Sequence, residues 1–327
     1  MSKVALITGI TGQDGSYLSE YLLELGYEVH GVVRRLSVAE NQTERIQHID
    51  EQITCHYGDL LDEHSLYKIM EEVKPDEVYN LAAMSHVRVS FDVPSFTIKT
   101  NSLGVLNILE AVRTKVPYAK FYQASSSEMF GNSIDKDNFQ RLGTPMNPVS
   151  PYGSSKLMAY DLTKQYREGY GVHASNGIFF NHESPRRGTN FVTNKVVKGV
   201  VEIKLGLRDK LELGNLDSYR DWGHSYDYVR AMHLILNHEV PKDWVVSTGE
   251  SKSVRDLCEY TFNSLGLNYK NYIFQNEKYF RKEDINYLRG DSSEIRKILG
   301  WKPKYTFESM IDEMIKYWED RLIVNGK

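Results

Sequence analysis

The chain has 327 residues, with 40 Lys and Arg against 44 Asp and Glu, a formal net charge of −4, and 41% hydrophobic and 26% charged residues. This composition fits an ordinary globular protein and gives no general attraction for nucleic acid or a membrane surface, so any anionic ligand must be gripped by a local basic site. Two cysteines, Cys55 and Cys258, exclude a disulfide framework, and with no apolar run near the roughly 20 residues of a membrane span or of signal-peptide type, a cytoplasmic protein is expected.

Residues 4–7 form a short apolar run followed by glycines, and Tyr17, Leu18, Tyr21, Leu22 and Leu25 then recur at helical spacing until Gly26. Further strands are predicted at 28–33, 53–57, 77–81, 121–124 and 177–180, with helices over 65–73, 102–113 and 152–169 between them. Alternation of this kind predicts an α/β fold: a Rossmann-type doubly wound parallel sheet, with a smaller mixed α/β substrate-binding region. Residues 1–175 are assigned to the sheet domain, with about 222–240 returning to it, and 176–327 mainly to the smaller region. Beyond residue 180 the alternation weakens, with helices near 227–236 and 254–265. Phe307, Met310, Ile311, Met314, Ile315 and Trp318 then repeat at helical spacing after Thr306, a candidate N-cap, and read as a core-facing stripe.

Thr8-Gly9-Ile10-Thr11-Gly12-Gln13-Asp14-Gly15 follows the first strand and opens the first helix. Glycines at this point allow a tight turn and close approach of backbone to a pyrophosphate, while the helix N-terminus offers free N–H groups. Gly9, Thr11, Gly12, Gln13, Asp14 and Gly15 are therefore cofactor-binding candidates. At the end of the second strand Arg34 and Arg35 stand where NAD enzymes usually have a carboxylate, and two guanidiniums suit the 2′-phosphate of NADP. Asp59 fits either the adenine amino group or a helix cap.

Tyr152 and Lys156 lie four apart on a predicted helix and so on one face. A neighbouring ammonium favours the phenolate, which can exchange a proton with an alcohol, and Ser126 at the end of the fifth strand can donate to the same oxygen. Glu128 follows two residues later. It reads either as a base beside that site or as a carboxylate at a helix start.

With these residues the chain resembles the extended short-chain dehydrogenases/reductases that act on nucleotide sugars, and within them the GDP-mannose 4,6-dehydratase family. The matching stretches are VALITGITGQDGSYL (4–18), DEVYNLAAMSHV (76–87), FYQASSSEMFG (121–131), SPYGSSKL (150–157), NGIFFNHESPRRGTNFVT (176–193), RDWGHSYDYV (220–229) and LGWKP (299–303). The resemblance implies a lyase converting GDP-mannose to GDP-4-keto-6-deoxymannose by internal hydride transfer from C4 to NADP to C6. In it, Tyr152, Ser126 and Lys156 handle the C4 hydroxyl, and Glu128 drives elimination across C5 and C6. It adds Leu60, Leu81, Ala82, Ala83, Ser85, His182 and Arg187 to the cofactor set. Ser85, Asn181, Arg187, Lys195, Arg220, Arg281 and one of Glu283 or Asp284 are implied for the GDP-sugar, with Ser126 and Glu128; Trp222 and Trp301 read as packing residues. No metal is implied. Residues 34–45 resemble a loop that reaches a neighbouring subunit, which implies a homo-oligomer, a dimer or a tetramer built from dimers.

Three departures stand out: Ser126 for a usual threonine, Lys282 for a usual proline, and Phe96 where tyrosine is frequent. The alternatives are dehydration of a related GDP-sugar such as a GDP-heptose, a 4-epimerase or 4-keto reductase, and a non-catalytic NADP-binding regulatory protein.

Overall fold

A computed structural model describes residues 2–35, 43–280 and 283–325. The strands β1 (Val4–Thr8), β2 (Glu28–Val33), β3 (Ile53–Tyr57), β4 (Glu77–Asn80), β5 (Lys120–Ser126), β6 (Ala174–Phe179) and β7 (Asp243–Val246) form one parallel sheet in the order β7-β6-β5-β4-β1-β2-β3. From β1 the chain winds outward through β2 and β3, then returns to the other side of β1 with β4. The winding direction thus reverses between β1 and β4, and the carboxyl ends of these two strands open a crevice. Ala5, Leu6 and Ile7 are fully buried, as expected of a strand covered on both faces.

Helices α1 (Gln13–Glu24) and, later in the chain, Ser225–Asn237 cover one face, where Leu18, Leu22, Met232, Ile235 and Trp244 share a core. On the other face lie α2 (Glu63–Val73), α3 (Gly104–Lys115) and α4 (Pro151–Tyr170), packing Leu66, Ile69, Ile108, Leu109 and Ala159 against Phe121. Local chemistry sets the ends of α4. The Ser150 hydroxyl accepts the Gly153 N–H at 3.0 Å, Pro151 occupies the first turn, and Gly171 closes the helix at φ 70°.

A second core joins α5 (Val192–Lys204) to helices Val254–Ser264 and Phe307–Asn325 through Val196, Val200, Leu257, Phe262, Met310, Met314 and Trp318. The C-terminal apolar stripe is thus core, and Thr306 Oγ1 accepts the Ser309 N–H at 3.2 Å as its cap. Trp301 is fully buried, its indole donating to Asp227 O at 2.8 Å.

The periodicity of the sequence does not reveal every element, and β7 and α5 are the ones that matter for the site. β7 has only four residues, and α5 is rich in valine with Gly199 inside it, a composition of low helix propensity that tertiary burial overrides. The main sheet takes in β6 across residue 175, and β7 lies beyond the returning segment 222–240. Among the described residues no helix is long and apolar enough to cross a membrane.

Candidate active site

The crevice holds a cavity of about 510 Å³ floored by the glycine loop. Gly9 turns the chain at φ +71°, where a Cβ would lie 2.9 Å from Ala82 N. At Gly15 a Cβ would meet Gly9 O at 2.3 Å and Ile10 Cα at 2.6 Å, so α1 can seat against the loop only with glycine there. The Gly12 N–H donates to Gly9 O at 2.9 Å, and Gly12 caps α1 without any side-chain acceptor, leaving the helix N-terminus to face the cavity. The Thr8 hydroxyl donates to Asn80 Oδ1 at 2.6 Å and accepts the Leu81 and Ala82 N–H groups, which joins β1 to β4 at the crevice. A cradle shaped by missing Cβ atoms at the end of β1 fits the pyrophosphate of a dinucleotide.

Thr11, Gln13 and Asp14 line this cavity with the glycines, as do Leu60, Leu81, Ala82, Ala83 and Ser85. Both arginines after β2 are exposed; Arg34 is on the cavity wall and Arg35 is not. Asp59 also lines the cavity and accepts the Leu61 N–H at 2.9 Å; Asp62, and not Asp59, caps α2 by accepting the Ser65 N–H.

Asp14 and His182 come together across the crevice. Asp14 Oδ2 lies 2.9 Å from His182 Nε2, Asp14 Oδ1 accepts the Ser225 hydroxyl at 2.6 Å, and His182 Nδ1 lies 2.8 Å from Phe180 O. Both ring nitrogens face acceptors, a carbonyl and a carboxylate, an arrangement that favours the doubly protonated ring. Burial lowers the basicity of His182, and the Asp14 carboxylate more than reverses that, raising its pKa. For Asp14, burial works against ionisation, yet the charge and hydrogen bond of His182 with the Ser225 hydroxyl hold its carboxyl well below the usual range. Gln13 reinforces the link, donating to His182 O at 3.1 Å and accepting the Ser184 hydroxyl at 2.8 Å. His182 lines neither cavity wall; its ring stacks on Tyr228 at 4.7 Å.

At the carboxyl end of β5, Ser126, Glu128, Tyr152 and Lys156 converge. Ser126 Oγ accepts the Glu128 N–H at 3.2 Å, and its hydroxyl acts to lower the pKa of the Tyr152 phenol. Lys156 Nζ donates to Ala124 O at 2.8 Å and lies 5.9 Å from the centre of the Tyr152 ring. Glu128, Tyr152 and Lys156 are all buried. Burial, opposed by the Ser126 hydrogen bond and assisted by the Glu128 charge, pushes the Tyr152 phenol up to about 12. Burial also pushes the Lys156 ammonium down to about 8, with Asp14 resisting. Two residues that the sequence reading did not single out hold this group in place. Asn101 accepts the Met84 N–H at 2.8 Å and donates to Ser155 Oγ at 3.0 Å, tying the cofactor cavity wall to α4, and Ser90 Oγ accepts the Tyr152 N–H at 3.2 Å.

A second cavity of about 200 Å³ lies under the smaller region, and Arg187 lines both cavities. Its guanidinium sits 3.7 Å from the Phe191 ring centre, with Nε 3.2 Å from Glu183 Oε2. Asn181, Lys195, Arg220 and Asp284 line the second cavity; Glu283 does not. Lys195 donates to Glu212 O at 2.7 Å and lies 3.6 Å from the Tyr279 ring centre. Arg220 is buried, donating to Ile285 O at 2.8 Å and pairing with Asp284 at 3.2 Å, so this pair also fastens the cavity wall. Asn181 Oδ1 and Trp222 Nε1 are buried on this wall with no hydrogen-bond partner among the described residues. Trp222 thus both packs, stacking on Phe307, and offers a donor to the cavity. Arg281 lies outside the described residues, as do residues 36–42 of the segment expected at a subunit contact. Arg45 of that segment is tied to its own chain, donating to Arg186 O at 2.8 Å and Thr11 O at 3.4 Å.

A glycine cradle at a strand-order reversal, with a buried Ser–Tyr–Lys group beside it, defines a Rossmann-type protein of the short-chain dehydrogenase/reductase kind. A similar fold is found in dTDP-glucose 4,6-dehydratase from Bacillus anthracis in complex with NAD (TM-score 0.84, 23% identity, covering 98% of this chain and 97% of that one). RMD from Pseudomonas aeruginosa, complexed with NADPH, is likewise similar (TM-score 0.82, 26% identity, 98% and 100% covered). The GDP-mannose 4,6 dehydratase family model matches residues 6–314. GDP-mannose 4,6 dehydratase 1 of Arabidopsis thaliana is 49% identical over 325 residues, covering 96% of this chain and 89% of that protein. The Homo sapiens GDP-mannose 4,6 dehydratase is 45% identical over 340 residues, with 96% and 90% covered. The chain belongs to the GDP-mannose 4,6-dehydratase family.

Proposed function

We propose that this protein removes water from GDP-mannose to give GDP-4-keto-6-deoxymannose, using a tightly held NADP that is regenerated in each cycle. The observation that carries the reading is Glu128, buried beside Ser126 and Tyr152 at the end of β5 in a chain of this family. A reductase or epimerase needs no carboxylate base there.

The glycine loop would hold the pyrophosphate, and Arg34 on the cavity wall favours a 2′-phosphate through charge-assisted hydrogen bonds. A nicotinamide dinucleotide held by the glycine loop and Arg34 would supply the hydride chemistry that links sugar C4 and C6. Tyr152 takes the C4 hydroxyl proton. Its resting phenol is too weakly acidic to do so unaided; the Ser126 hydroxyl and the Arg187 charge favour the phenolate, and Lys156, 5.9 Å from the ring centre, would add its charge when a substrate draws the phenolate out. Once C4 is a ketone, the C5 proton is acidified, and Glu128 removes it and passes a proton to the departing C6 hydroxyl, so that water leaves; reduction at C6 is then completed by return of a proton to C5. Burial of Glu128, Tyr152 and Lys156 keeps bulk water from the intermediate. Arg187 and Lys195 supply positive charge for the sugar-nucleotide diphosphate.

Glu128→Gln tests the assignment. The variant should bind NADPH as the wild type does and lose dehydration by about 10²–10⁴-fold, the usual worth of a positioned acid–base group. Turnover at the wild-type rate would remove Glu128 from this role.

A further inference from the structure

We propose that the Thr100 hydroxyl is a hydrogen-bonding contact for the ribose–phosphate backbone of the dinucleotide, an inference that rests on the first cavity being the dinucleotide site. A helical threonine ordinarily returns its hydroxyl to a carbonyl three or four residues earlier. Thr97, Thr114, Thr163 and Thr261 all do so here, donating to Val93 O, Glu110 O, Ala159 O and Leu257 O. Thr100 does not. Its Oγ1 is buried with no hydrogen-bond partner among the described residues, and the residue, 9% exposed, lines the first cavity.

The backbone explains the difference. The helix Pro94–Ile98 runs into a π-helical stretch, Lys99–Leu103, before α3 begins. A π turn lengthens the backbone hydrogen-bond repeat and shifts side chains from their α-helical directions, and such turns concentrate at functional sites. The next residue, Asn101, is locked to Met84 and Ser155, so the stretch is held against both the cavity wall and α4. Phe96, one turn earlier, lines the same cavity and offers no hydroxyl. A buried polar atom left without a partner is unfavourable and is retained where a ligand completes it. Here the ligand at hand is a chain of ribose and phosphate oxygens.

Thr100→Val keeps the shape and removes the hydroxyl. NADPH binding to protein freed of nucleotide, measured by fluorescence titration, should weaken about 5–10-fold, the scale of one neutral hydrogen bond. The nucleotide-free variant should melt at or above the wild-type temperature, because it no longer buries an unsatisfied oxygen, and Thr100→Ser should restore affinity. An unchanged dissociation constant, or a nucleotide-free variant that melts clearly lower, would overturn the proposal in favour of a packing role. A wild-type protein that binds neither NADPH nor NADH would instead sink the assignment of the cavity itself, and this inference with it.

Discussion

Replacing Asp14 by Asn keeps the side chain's shape and removes its charge, leaving the His182 imidazolium facing a neutral amide. The Asp14 and His182 side chains are 24% and 15% exposed. Breaking a fully buried pair costs about 3–5 kcal/mol, and partial solvent access brings the expected loss here to about 2–3 kcal/mol. In a chain of this size that is a fall in melting temperature of roughly 3–5 °C. The loss should depend on pH. The pKa of His182 is raised in the folded protein, so its contribution is complete below the unfolded value of about 6.5 and fades as pH rises through the higher folded value. That of Asp14 is lowered, so its contribution is present above about 3.9 and fades only as pH falls through the depressed value. The gap between wild type and variant should therefore be widest from about pH 4.5 to 6.5 and narrow on the alkaline side. Thermal unfolding from pH 5 to 9, without nucleotide, measures it directly. A gap that stays constant across that range, or no gap at all, would refute the doubly protonated ring.

Gly15→Ala should destabilise the protein by about 2–4 kcal/mol and abolish dinucleotide binding, since its Cβ would press on backbone atoms that cannot yield. Gly143→Ala, where nothing lies within 4 Å, is the control and should change the melting temperature little. Arg34→Ala should weaken NADPH by about 10–100-fold while sparing NADH, the pattern of a lost charge-assisted contact to phosphate; equal losses for both nucleotides would argue against a 2′-phosphate contact. Because burial brings the Lys156 ammonium down to about 8, kcat/KM should decline above that pH as the cation is lost. A profile flat to pH 10 would show that the cation is not needed.

What the sequence disclosed follows from how local each feature is. The glycine loop, the Tyr152–Lys156 pair and Ser126 with Glu128 depend on neighbours a few residues away, and each stands where strand–loop–helix order puts it. The sheet was legible through its alternating pattern, except at β7, too short to show a period, and α5, whose valines speak against a helix until it is buried. Contacts between distant residues were hidden. From its place in the loop Asp14 reads as a cofactor contact, and it does line the cavity, but only the fold shows its carboxylate engaged by His182, 168 residues away. Asp284 and Arg220 were each seen as ligand contacts, and only the folded chain shows them paired with each other. Asn101 and Thr100 escaped notice because an ordinary polar residue in a helix carries no signal until its partner, or the lack of one, is visible.

Incubating GDP-mannose with the purified protein and no added reductant, then following the nucleotide sugar by mass spectrometry, tests the central claim most directly. The account predicts a product lighter by one water with no net consumption of NADPH. GDP-mannose recovered unchanged, or a product formed only as NADPH is used up, would contradict it.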